Sequence, residues 1–253
     1  MATFRVIFVI DILNGKVVHA VKGERDTYRQ VHLTSRIVRT SNPVRLLNVI
    51  KPDETYIADL NAIMRTSEPS SNTPIISEIR DRTRTKVILD MGVSCIEELE
   101  VASGVSDSVV IGTETASFEI IESASGMGAF LSLDIKNDEV LTDDPGLKIP
   151  PIKLLEAMNS FDLEGVIILN LSNVGTKQGF DLDFLKACVQ ISDHPIFLGG
   201  GVRGVDDLGL LENIGVSGAL VATAIHDGSI PLSLISHRAH LENQPRYPPH
   251  TRG

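Results

Sequence analysis

The chain has 253 residues, 42% of them hydrophobic, enough apolar material to fill one large core and the size of a single β/α barrel. Its net charge of −10 argues against an extended nucleic-acid or anionic-membrane footprint, because such a surface needs clustered Lys and Arg to displace counterions. A small anionic ligand in a local site remains compatible with that charge.

From Met1 the chain runs into the apolar stretch Phe4 to Ile10, which is too short for a secretory h-region and has no small-residue cleavage site after it. No segment approaches the roughly 20 apolar residues of a membrane span, so a cytoplasmic location is expected. Cys95 and Cys188 stand far apart and outside any C-x-x-C pair, and the seven histidines lack ligand spacing. Reduced thiols, no metal and no cofactor are the expectation.

In chain order, Val6 to Ile10 reads as a first strand and polar Lys22 to Ser41 as a long loop. Helix Pro43–Ile50, strand Thr55–Ala58, helix Thr73–Thr83, strand Lys86–Leu89, helix Ile96–Ala102 and strand Ser108–Ile111 follow. Strand Phe130–Leu133 precedes a second long loop, punctuated by Asp143-Asp144-Pro145-Gly146 and Pro150-Pro151. Helix Ile152–Asn159, strand Gly165–Leu169, helix Asp183–Ile191, strand Pro195–Leu198, helix Val205–Asn213 and strand Gly218–Val221 complete the pattern. Most of the eight apolar runs are continuous rather than alternating, as strands buried on both faces must be. Alternation with helices argues for an α/β fold, and the count of eight favours a closed (β/α)8 TIM barrel over an open doubly wound sheet. One domain is expected over residues 1–241, with the Pro-rich, polar residues 242–253 as a disordered tail.

The sequence also repeats itself. Asp11-Ile12-Leu13-Asn14 with Val17 matches Asp134-Ile135-Lys136-Asn137 with Val140, preserving D-I-x-N-x-x-V. Leu89-Asp90-Met91-Gly92-Val93 matches Leu198-Gly199-Gly200-Gly201-Val202, and Ile111-Gly112-Thr113 matches Val221-Ala222-Thr223, in the same order. Two similar half-barrels, about 1–125 and 126–241, account for this.

In such a barrel Asp11 and Asp134 end strands one and five and face each other across the mouth. A lone carboxylate in an apolar rim is costly, whereas two across a pocket can divide the roles of general base and general acid. Pairing of each with a nearby Lys, such as Lys16 or Lys136, is the bland alternative. Gly199, Gly200 and Gly201 after strand seven, with Ala222 and Thr223 after strand eight, stand where barrel loops commonly build a phosphate site. The corresponding first-half site, Gly92 with Gly112 and Thr113, is poorer. Asp90 there would repel a phosphate or convert the site to one for a hydroxyl or amine. Asp59, opposite Asn170 on strand six, ends strand two as a third polar ligand contact or a loop brace, and Asn170 is a candidate substrate contact. Gly175 and Thr176 follow strand six as a substrate or proton-transfer contact or a plain turn, and Lys22 and Arg25 lie in a loop that could close over an anion.

These residues resemble the HisA/HisF family of histidine biosynthesis. The resemblance spans residues 4 to about 235 and rests on Val9 to Val18, Ala58-Asp59-Leu60, Leu131 to Asp134, Gly175 to Asp181 and Gly199 to Val202. The first of these is closer to the ribotide isomerase of the family, and Gly175 to Asp181 to its cyclase. The resemblance implies a duplicated half-barrel, a substrate with phosphates at both ends, Asp11 as base, Asp134 as acid and an assisting Thr176 in an Amadori rearrangement. The chain departs from the family with Asp90-Met91-Gly92 where Gly-Gly-Gly is usual, Val174 before Gly175, and His19 for an expected Arg. Such departures suit a divergent member, like relatives found beside methanopterin-linked one-carbon pathways, acting on a smaller phosphorylated metabolite. No glutaminase partner is supported, and the oligomeric state is open.

Overall fold

Each apolar run forms a strand: β1 (Arg5–Leu13), β2 (Glu54–Asp59), β3 (Lys86–Asp90), β4 (Ser108–Gly112), β5 (Phe130–Lys136), β6 (Gly165–Asn170), β7 (Ile196–Gly199) and β8 (Gly218–Val221). In the computed structural model, which describes residues 3–20, 24, 27–65, 71–171 and 177–236, every one of these strands pairs in parallel with the next. β8 returns to β1 through Arg5↔Gly218 to Phe8↔Val221, closing a (β/α)8 barrel. Closure leaves no barrel strand with an unpaired edge.

Helices α1 (Pro43–Ile50), α2 (Thr73–Arg82), α3 (Ile96–Val105), α4 (Phe118–Ala124), α5 (Pro151–Met158), α6 (Leu182–Ile191) and α7 (Val205–Asn213) lie between the strands, with short helices at Leu60–Met64 and Thr223–His226. Proline in the first turn of α1, α2 and α5 suits positions whose amide has no helical acceptor. The Asn42 side chain caps α1 and the Asp181 side chain caps α6. Helix α4 escapes sequence reading because its seven residues hold Ile120 and Ile121 side by side, too short a stretch to display a helical period.

Strand alternation sorts the apolar residues into two layers. Ile10, Ile12, Ile57, Leu89, Ile111 and Leu133 belong to the cluster packed under the helices. Ile7, Tyr56, Ile88, Val110, Phe130 and Phe197 belong to the smaller cluster that fills the barrel. Glycine is required beside the aromatic plug: a Cβ on Gly165 would lie 2.7 Å from the Phe197 ring, and one on Gly218 would lie 2.9 Å from it. Arg5 stacks over Phe130 and Phe197 and makes two 2.9 Å hydrogen bonds to Glu54, sealing the N-terminal end. The inside is therefore packed below, and a cavity lies at the C-terminal mouth.

Strands β1 and β5 run past the barrel into hairpins, β1 pairing with Lys16–His19 and β5 with Glu139–Val140. Both turns hold two residues at positive φ, Asn14 (49°) and Gly15 (72°) in one, Asn137 (54°) and Asp138 (64°) in the other. That is the tight reversal which Asn-Gly favours, and it explains the spacing D-I-x-N-x-x-V in local terms. The expected loop Lys22 to Ser41 is less irregular than its polarity suggests, since Arg29–Gln30 adds a strand to the first hairpin and Val31–Leu33 is a 3-10 turn. Both strand residues are exposed, so no apolar alternation marks them. The expected tail, 242–253, lies outside the described residues.

Candidate active site

Pairing decides which side chains reach the mouth. Asp11 pairs with Ala58, Ala58 with Asp90, and Asp134 with Leu169, so these positions share the inner face. All five line a cavity of about 400 Å³ at the C-terminal ends of the strands. Asp11 is half-buried, and Asp134 is only 5% exposed. The Asp134 carboxylate accepts the Ser132 hydroxyl at 2.7 Å and the Glu114 amide at 3.1 Å, while its own amide donates to the Thr113 hydroxyl. Burial pushes the Asp134 carboxyl up to about 7, the negative charges of Asp90 and Glu114 act in the same direction, and the two hydrogen bonds it accepts oppose the rise.

Tyr56 and Asp90 join this pair. The Tyr56 hydroxyl donates to Asp90 at 2.6 Å, and the other Asp90 oxygen accepts the Gly92 amide at 3.0 Å. Burial, followed by the charge of Asp90, holds the Tyr56 phenol well above its ordinary value, so it remains a donor at neutral pH. Sequence reading passed over Tyr56, although period-two alternation already places it on the same face as Ala58. Glu114, also on the cavity wall, was passed over because it follows the strand rather than ending it.

The opposite wall is formed by Gly199, Gly200, Gly201, Ala222 and Thr223, together with His19, noted in the sequence only as standing for an expected Arg, and with Lys177 and His226, which the sequence did not single out. Two of the glycines have packing reasons. A Cβ on Gly199 would lie 2.7 Å from Leu169 Cδ1, and one on Gly201 would fall on the Gly179 carbonyl. The Gly179 amide in turn donates to the Gly201 carbonyl, so the loop after β6 rests directly on the loop after β7. Gly200 and Gly201 both adopt left-handed φ, 86° and 81°. Lys177 bonds Asp227 and Ser229, both at 2.8 Å, and thereby ties the loop after β6 to the one after β8. His19 Nε2 sits 3.2 Å from the Thr223 hydroxyl, and burial lowers its pKa. His226 is driven down to about 4 by burial and by neighbouring His19, and its Nδ1 lies 3.0 Å from the Ser35 hydroxyl. Both rings are neutral at pH 7.

Three of the expected site residues turn away from the cavity. Asp59 pairs with Ile12 and Asn170 with Ile135, so both share the helix-facing side of the sheet. Asp59 is fully buried, and its carboxylate takes bonds from Ser71, from the Asn72 amide and side chain, and from the Ala62 amide. Asn72 and Asn61 pass that bracket on to the turn amides of Gly15 and Asn14. Asp59 is thus the brace of the two readings its position allowed. Thr113 is fully buried and does not line the cavity, whereas Gly92 and Gly112 do. Gly175, Thr176, Lys22 and Arg25 lie outside the described residues. Cys95 and Cys188 are free thiols, and among the described residues no cluster of three or more His, Cys, Asp or Glu is placed to hold a metal ion. No helix among the described residues is long and apolar enough to cross a membrane.

A closed parallel barrel whose ionisable groups gather at the C-terminal mouth has the architecture of the β/α-barrel enzymes. Residues 5–231 match the model of the histidine biosynthesis protein family. Similar chains include an uncharacterized protein of Methanocaldococcus jannaschii, 34% identical over 92% of this chain and 98% of its own. Two others are named as phosphoribosyl imidazole-4-carboxamide isomerases. The one from Halobacterium salinarum is 27% identical over 91% of this chain and 95% of its own, and that from Methanosphaera stadtmanae is 27% identical over 90% and 96%. The chain belongs to the histidine biosynthesis protein family.

Proposed function

We propose that the chain is an isomerase of a phosphorylated aminosugar, converting an aminoaldose to an aminoketose with Asp11 as general base and Asp134 as general acid. The observation that carries this reading is the pair of carboxyls on β1 and β5 facing one cavity, one of them held near 7. A carboxyl with that value is half protonated at neutral pH and serves as an acid, where an ordinary aspartate would already have released its proton. Asp134 gives its proton to the ring oxygen of the aminoaldose, and the ring opens to an iminium. Asp11 removes the proton from C2, leaving an enaminol. Return of that proton at C1, with the 2-hydroxyl proton restoring Asp134, yields the ketone and regenerates both groups. The isomerase names of the two relatives support the same class of reaction, and the repeat D-I-x-N-x-x-V in the sequence fits two equivalent aspartates.

The test is turnover of phosphorylated glycosylamines, including the substrate of the named relatives, followed by product analysis. Asp11→Asn and Asp134→Asn should each lower kcat by about 10²- to 10⁴-fold. In the parent enzyme kcat should fall as pH rises through about 7, where Asp134 loses its proton. Full turnover in both variants would remove the acid-base pair from the mechanism.

A further inference from the structure

The two ends of the mouth differ in what their backbone amides already hold. At the β7–β8 end, the amides of Gly200, Gly201 and Thr223 have no hydrogen-bond partner among the described residues, and all three residues line the cavity. At the β3–β4 end two of the three corresponding donors, the amides of Gly92 and Thr113, are taken by the protein itself, as is that of neighbouring Glu114. The Gly92 amide donates to Asp90 and the Glu114 amide to Asp134. The Thr113 amide donates to the Ser132 carbonyl, whereas the next turn is alike at both ends, Thr115 and Ala116 donating to the Gly112 carbonyl as Ile225 and His226 donate to that of Ala222. The space a Cβ on Gly112 would fill is also occupied, because it would lie 3.1 Å from Asp134 Oδ2.

Packing across the repeat explains the difference. Leu169 pairs with Gly199 on one side, and Ala58 pairs with Asp90 on the other. In the second half the bulk comes from β6, and the turn after β7 presents bare backbone. In the first half β2 contributes only a methyl group, and the room goes to the Asp90 carboxylate, held by Tyr56. A carboxylate at that place repels a phosphate and accepts hydrogen bonds from an ammonium or hydroxyl.

We infer that the ligand carries a single phosphate, held at the Gly200, Gly201 and Thr223 end, and presents an amine or hydroxyl to Asp90 and Glu114 where a second phosphate would otherwise sit. This rests on the reading of the cavity as the site of a phosphorylated aminosugar, and it makes Asp90 the residue that sets which aminosugar enters. Asp90 touches the far end of the ligand and takes no part in the proton transfers.

Calorimetric titration of the whole chain with inorganic phosphate, glucosamine 6-phosphate, glucose 6-phosphate and fructose 1,6-bisphosphate tests it. One phosphate should bind per chain, and the bisphosphate should bind at least about tenfold more weakly than glucosamine 6-phosphate, since like charges brought together in a site cost that much or more. Asp90→Asn keeps an acceptor for the Gly92 amide and removes the charge. It should erase most of the preference for glucosamine 6-phosphate over glucose 6-phosphate, and Asp90→Gly should tighten the bisphosphate by about tenfold. If Asp90→Gly does not fold, Asp90→Asn still decides the matter. Two phosphates per chain, no phosphate binding, a bisphosphate bound as tightly as glucosamine 6-phosphate, or ligand preferences unchanged in Asp90→Asn would each overturn the inference. Binding is read apart from turnover, so a chain that binds in the expected way and isomerises nothing would sink the isomerase reading alone. A chain that isomerises a bisphosphate would sink this inference alone.

Discussion

The rim formed by β3 and β4 and the rim formed by β7 and β8 share a backbone plan, and each keeps a glycine at matched positions, Gly92 and Gly201. Both glycines are left-handed, with φ of 64° and 81°. Their surroundings differ. A Cβ on Gly92 would lie 3.0 Å from Ile63 Cα, whereas one on Gly201 would fall on the carbonyl of Gly179. The first glycine serves its own turn, and the second also allows a neighbouring loop to rest on it. A repeated motif can therefore keep its residue while the reason for that residue changes, which is why the first rim can be rebuilt around a carboxylate while the second retains bare amides.

The largest effect that would break this comparison comes from the glycines themselves. Gly201→Ala should destabilise the fold by about 3–5 kcal/mol, because a left-handed alanine and a displaced backbone both count against it. Gly92→Ala should cost about 1–2 kcal/mol, since its contact is at the margin of tolerance and φ strain dominates. Chemical denaturation measures both, and equal losses would mean that the two rims are packed alike.

Asp134 sharpens the comparison on the first rim through pH. Its folded value of about 7 lies above the ordinary 3.8, so between those limits the folded chain keeps a proton that the unfolded chain has released. Stability should fall as pH rises through that window and level off above it, with an upper bound of about 4 kcal/mol. Asp134→Asn has no proton to lose and should flatten this slope. His226 near the second rim works in the opposite direction. Its folded value of about 4 lies below the ordinary 6.5, so its contribution is present above 6.5 and is lost as pH falls toward 4. An unfolding series from pH 4 to 8 in both Asp134→Asn and His226→Gln separates the two. A slope unchanged in Asp134→Asn would mean that its carboxyl is not held near 7.

Much of this was legible in the sequence, for identifiable reasons. Continuous Val- and Ile-rich runs marked all eight strands, because a strand buried on both faces leaves no other pattern. Asp11 and Asp134 were legible because charge at the end of such a run is anomalous. Asp59 kept its two readings, contact or brace, and Asn170 was expected in the site, because each ends its strand as Asp11 and Asp134 do; only the ladder register sends them to the helix side. Tyr56 is not marked in the sequence because it lies within an apolar run, its ring filling the barrel while its hydroxyl reaches Asp90. Lys177 and His19 become site residues only when the loops after β6 and β8 and the first hairpin meet, a contact that no local pattern encodes.

Tyr56→Phe probes how the first rim holds its carboxylate. The ring stays and the 2.6 Å bond to Asp90 is lost, which should cost about 1.5–3 kcal/mol, the range for a hydrogen bond to a charged group. The same variant should weaken discrimination against a bisphosphate by less than Asp90→Asn does, since the charge remains while its position loosens. A change in thermal stability within error would show that the position of Asp90 does not depend on the Tyr56 hydroxyl.

The smallest effect tests the second rim. Lys177 and Asp227 are about a third exposed, so solvent screens their attraction and Lys177→Met should cost no more than about 1 kcal/mol. Its consequence should appear in binding instead. Lys177 joins the loop after β6 to the one after β8 beside the amides of Gly200 and Gly201, and its ammonium is a cation on that wall of the cavity. Inorganic phosphate should therefore bind Lys177→Met several-fold more weakly than the parent, and the difference should shrink in high salt, where the lost attraction is screened in both proteins. Asp227→Asn separates charge from tether: it weakens the bridge but leaves the ammonium in place, so phosphate should bind it at least as tightly as the parent. If both variants weaken phosphate binding equally, Lys177 acts on the second rim by holding two loops together, and its charge contributes nothing to the anion.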